Sequence, residues 1–121
     1  VKPENFGVSD DGTTVKLLDF GMAGELDAPW LWYGTSPFLP PEVLARHSRA
    51  IVATAADAWA LGVVLLELLL GVDALPRMLG WRRPLPPQPA CALELTAFLR
   101  RPLGLENALA AALSCTAPSD Q

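Results

Sequence analysis

Histidine occurs once in this 121-residue chain, tyrosine once and cysteine twice. These scarcities exclude several classes. Cys91 and Cys115 lie far apart, and neither has a neighbour at metal-ligand or redox spacing. One such pair does not make a disulfide scaffold, so both are expected to be reduced thiols in an intracellular protein. His47 has no cysteine, histidine or carboxylate at ligand spacing, and is read as a solvated surface residue. Basic residues are not in excess. Nine Lys and Arg against thirteen Asp and Glu give a net charge of −4, which offers no electrostatic footprint for nucleic acid. The longest apolar stretch, around 58–66, is bounded by Asp57 and Glu67. A membrane span needs about twenty apolar residues, so a core helix is expected there instead. The first residues show no basic region, apolar stretch or cleavage site of a signal peptide. No internal repeat is present.

The chain does have apolar residues, at 51% of the sequence, which argues against disorder and for one domain with a modest core. Residues 6–19 read as a hairpin. Phe6-Gly7-Val8 and Val15-Lys16-Leu17-Leu18 are strand-like, and Asp10-Asp11-Gly12 supplies the turn. Residues 22–41 carry Gly24, Pro29, Gly34, Pro37, Pro40 and Pro41, so regular structure is not expected there. Pro41 suits the first position of a short helix over 42–46. Thr54 is a candidate N-cap, with Asp57 three residues later. The stretch from Ala55 to Leu70 has no polar face except Asp57 and Glu67, which predicts a helix buried all round and ended by Gly71. Residues 72–90 read as a long connection with a basic patch (Arg77, Arg82, Arg83) and a proline run. Helical spacing returns over 91–101 and 105–114, split by Pro102 and Gly104.

Four motifs in order resemble the large lobe of a eukaryotic-type protein kinase. They are Lys2-Pro3-Glu4-Asn5, Asp19-Phe20-Gly21, Gly34-Thr35-Ser36-Pro37-Phe38-Leu39-Pro40-Pro41-Glu42, and Asp57-Ala58-Trp59-Ala60-Leu61-Gly62. The resemblance is clear from Val1 to Gly71 and fainter beyond. It implies a mainly α fold: a partial large lobe, with a short N-terminal β-hairpin and a buried central helix, over residues 1–121. The small lobe is expected to lie outside these residues.

The resemblance also implies ATP and Mg2+ as cofactors, and a role for each matching residue. Asp19 is implied to bridge metal and phosphates, Asn5 to help hold the second metal, and Lys2 to meet the γ-phosphate. Lysine at that place is typical of serine/threonine kinases. Thr35 is implied to hydrogen-bond Lys2 and the catalytic aspartate, which the family places immediately before Val1. Gly21 lets the backbone turn after Phe20. Glu42 is implied to form a buried ion pair with an arginine beyond Gln121. Asp57 is implied to anchor the catalytic loop by accepting its backbone hydrogen bonds, or more simply is a first-turn acid. Phe38 stands where the family more often has tyrosine, and Pro40 where it has alanine. Neither change removes a catalytic group.

With half of a nucleotide site, the isolated fragment is expected to be inactive. A protein substrate and a cytoplasmic location follow for the parent. The alternative is a pseudokinase or scaffold that binds partners. Arg83-Pro84-Leu85-Pro86-Pro87-Gln88-Pro89 fits a basic residue followed by P-x-x-P, the form of an SH3-type ligand. Residues 22–33 contain no serine or threonine. The parent is therefore expected not to need a phosphorylated serine or threonine there. Glu25 or Asp27 would supply permanent charge, or Trp30 and Trp32 would order the segment by packing beside Tyr33.

Overall fold

The structure is a computed structural model that describes residues 1–21, 23–25, 38–45 and 53–116. The expectations for Thr35, Trp30, Trp32, Tyr33, Asp27 and His47 lie outside these residues. A single 3-10 turn, Pro3–Asn5, leads into strand β1 (Phe6–Val8) and strand β2 (Val15–Leu17). Helices α1 (Pro41–Leu44), α2 (Ala53–Leu70), α3 (Ala74–Met78), α4 (Gln88–Leu99) and α5 (Gly104–Thr116) follow.

The hairpin forms where turn chemistry and β-compatible residues meet. The strands pair antiparallel, with Phe6 opposite Leu17, Gly7 opposite Lys16 and Val8 opposite Val15. Gly12 takes φ 71°, a conformation that costs glycine little. One carboxylate oxygen organises the turn. Asp11 Oδ1 accepts from Ser9 Oγ at 2.6 Å, Thr13 Oγ1 at 2.8 Å and Thr13 N at 3.1 Å. Ser9 Oγ in turn accepts from Thr14 N at 3.0 Å.

Donation from the Ser9 hydroxyl, then from the Thr13 backbone and hydroxyl, favours the charged form. The Asp11 carboxyl falls from its ordinary 3.8 to about 2. A depressed carboxyl stabilises the turn fully above its unfolded value and loses that contribution as pH falls through its folded value. The Asp11 contribution to the turn should therefore be lost progressively as pH falls from about 4 to about 2. Carboxyl chemical shifts measured against pH would show it, and Ser9→Ala should move the midpoint back up. An unchanged midpoint in Ser9→Ala would contradict this account.

Pro41 occupies the first position of α1, where its missing N–H costs nothing, and Val43 and Leu44 of that helix are buried. Helix α2 starts at Ala53, so Thr54 lies inside it rather than capping it, and Asp57 falls beyond its first turn. Its end is as expected: Gly71 takes φ 89° and donates its N–H to Glu67 O at 2.8 Å. An alanine there would have to adopt a left-handed backbone, so Gly71→Ala should cost about 1–2 kcal/mol, read as a shift in urea midpoint at unchanged slope.

The all-round burial predicted for α2 is met on one side. Ala56, Ala60, Val63, Val64 and Leu70 are buried, whereas Leu61, Leu65, Leu68 and Leu69 are exposed. The reason is the number of covering elements. Helices α3 and α5 pack against α2, and Val63 joins the core. No described element lies over the leucines.

The core joins segments distant in sequence. Leu39, Val43, Leu44, Val63, Leu75, Trp81, Cys91, Ala92 and Leu95 form one buried cluster. Phe38, Ala45, Trp59, Leu79 and Leu85 pack against it. The connection 72–90 is thus more ordered than its prolines suggest. It contains α3, and Asp73 preceding that helix takes φ 59°. The Asp73 backbone N–H bonds Glu67 Oε1 at 3.0 Å, and its carboxylate pairs with Arg83 at 2.7 Å. Arg77 donates to the Leu70 carbonyl, capping α2, and the Trp81 indole donates to Glu94 of α4.

These contacts do not support an SH3-type ligand at 83–89. Gln88 and Pro89 belong to α4, Leu85 packs on the core and Arg83 is paired with Asp73. An extended polyproline segment needs the same residues free.

Candidate functional site

Three of the four residues expected to carry chemistry lie in the described N-terminal segment, and the hairpin positions them. Lys2 precedes the 3-10 turn in extended conformation, φ −156° and ψ 161°. Pro3 fixes the start of the turn, and Asn5 N donates to Lys2 O at 3.0 Å to close it. Asn5 ends the turn, immediately before β1. Lys2 and Asn5 are both half-buried.

The decisive contact is one backbone hydrogen bond. Leu18 N donates to Asn5 O at 2.7 Å, extending the β1–β2 ladder by one step beyond Phe6 and Leu17. The residue before Asp19 is therefore held against Asn5. The two oxygen-bearing side chains, fourteen positions apart in sequence, are delivered to the same end of the hairpin. Sequence reading picked out Asn5 and Asp19 but missed Leu18. Its signal was the strand register, which places Asn5 opposite Leu18.

Asp19 has φ 62°, a left-handed backbone unusual for a residue with a side chain and easiest for Asp, Asn or Gly. The chain turns sharply there. Gly21 N donates to Asp19 Oδ1 at 3.2 Å, and Ala23 N to Phe20 O at 3.0 Å. A Cβ at Gly21 would lie 3.3 Å from Asp19 Oδ1, so the glycine keeps the carboxylate unobstructed. The second oxygen, Oδ2, has no hydrogen bond among the described residues. Asp19 is exposed, and Phe20 is 65% exposed.

This donor set is a carboxylate and an amide oxygen, the hard ligands that suit magnesium. Among the described residues no group of three or more His, Cys, Asp or Glu is placed to hold a metal by itself. The two donors fit an ion that also binds phosphate and water oxygens. They do not form a closed all-protein cage.

The remaining candidates lie elsewhere. Thr35 is outside the described residues. Glu42, at the second position of α1, is exposed and makes no ion pair among the described residues; the arginine that the resemblance implies as its partner is not among them. Asp57 is likewise exposed and accepts no hydrogen bond among the described residues. Among the described residues no backbone N–H of residues 2–5 donates to Asp57, so the anchor to the catalytic loop stays a proposal. Its position beyond the first turn also weakens the simpler helix-dipole reading.

Cys91 is buried, and its thiol donates to Pro86 O at 3.1 Å. Burial, and then the charge of Glu94, push that thiol above its ordinary value, which makes it an inert core residue. Among the described residues no helix is long and apolar enough to cross a membrane.

Comparison with known proteins points to one family. A family model described as protein kinase domain matches residues 1–79. The human putative serine/threonine-protein kinase PRKY is 43% identical over 74 residues, covering 59% of this chain and 24% of that protein. The human cAMP-dependent protein kinase catalytic subunit PRKX is also 43% identical over 74 residues, covering 59% of this chain and 19% of that protein. The cAMP-dependent protein kinase catalytic subunit 3 of Drosophila melanogaster is 39% identical over the same length, covering 59% of this chain and 12% of that protein. The chain thus spans about a quarter or less of the relatives it matches. No solved structure matches it.

Proposed function

The chain belongs to the protein kinase domain family, and from that premise we propose that it carries the metal-binding half of a phosphoryl-transfer site. The full-length protein would move the γ-phosphate of ATP to serine or threonine hydroxyls of a protein substrate. The observation that supports this reading most is the Leu18 N to Asn5 O bond, which sets Asn5 and Asp19 at one end of the hairpin.

Each residue then has a physical task. Magnesium, bound with ATP, supplies positive charge that offsets the charge on the phosphate oxygens. Asp19 would help hold that ion, with Gly21 N donating to Oδ1 and so fixing the carboxylate. Asn5 offers its amide oxygen. Lys2 brings an ammonium group to the γ-phosphate, where positive charge lowers the barrier to transfer. Thr35 is proposed to hydrogen-bond Lys2 and a catalytic aspartate immediately preceding Val1. Glu42 and Asp57 take structural roles once further segments cover them: Glu42 in an ion pair, Asp57 as an acceptor of backbone N–H groups. A cytoplasmic location is proposed on the same footing.

The test is direct. Purified full-length protein, given magnesium and γ-labelled ATP, should label serine or threonine peptides and leave tyrosine peptides unlabelled. The residue encoded before Val1 should be aspartate. An intact, folded full-length protein that labels neither class of peptide would overturn the reading in favour of a non-catalytic kinase-like protein.

A further inference from the structure

We draw no further inference here: the strongest candidate, the exposed apolar face that Leu61, Leu65, Leu68 and Leu69 form along α2, has nothing in the structure to show what covers it.

Discussion

Leu95→Asp is expected to abolish cooperative folding. Leu95 sits on α4 at 1% exposure, in one cluster with Leu44 of α1, Val63 of α2 and Leu75 of α3. A carboxylate placed there would lose its water and find no cation, since the described core contains no buried polar or charged residue. The cost should be about 4 kcal/mol or more, a large part of the stability of a small domain. Leu95→Ala, which leaves a cavity but no charge, should cost about 2–5 kcal/mol. Thermal melts followed by circular dichroism would separate them: no transition for the aspartate, a lowered one for the alanine. Leu65→Asp is the control. Leu65 is 51% exposed in this chain, so the same charge should be tolerated there far better. Equal damage at both positions would mean that the leucine face of α2 is covered in solution.

Asp19→Ala in the full-length protein should lower phosphoryl transfer by at least about a hundredfold, as expected when a ligand to a catalytic metal is removed. The fold should survive, because Asp19 is exposed and its one hydrogen bond is local. Alanine would also have to sustain φ 62°, so part of any loss could come from backbone distortion. Asp19→Asn separates the two causes, since asparagine tolerates that backbone but carries no charge. If Asp19→Asn is as inactive as Asp19→Ala, with an unchanged melting temperature, charge is the cause. Activity of Asp19→Asn within a few-fold of wild type would remove the metal role.

Much of the fold was legible because local chemistry and tertiary structure agree. Asp11 and Gly12 mark the hairpin turn, and the strands fall at 6–8 and 15–17, as their β-compatible residues suggest. Gly71 marks the end of α2 for the same reason that alanine would be costly there: the positive φ. Proline hid α3 and the first turn of α4. Pro76 lies in the first turn of α3 and Pro89 in the first turn of α4, where the missing N–H has no intrahelical partner to lose. A proline run reads as extended chain only until packing decides otherwise, and here Cys91, Ala92 and Leu95 draw the following residues into a helix against α1.

The burial of α2 was misjudged for a different reason. Composition states which faces would gain from leaving water, but not which faces have a partner. At the site, Asn5 and Asp19 were legible from their motifs. The positive φ of Asp19 was not, because no residue other than glycine announces it. Glu42 and Asp57 were given partners by resemblance that the described residues do not provide.

The docking of α1 against α4 also sets an order on synthesis. Leu44 leaves the ribosome before Trp81, Cys91 and Leu95 of its cluster have emerged. At typical elongation rates of about 5–20 residues per second, roughly fifty further codons leave that helix bare for several seconds. The hairpin, whose strands are neighbours in sequence, can close within microseconds of emerging. The hairpin that carries Asn5 and Asp19 can therefore take shape while the core beneath the rest is still being translated. A silent codon change that slows elongation between α1 and α4 would lengthen that exposure without altering a single residue.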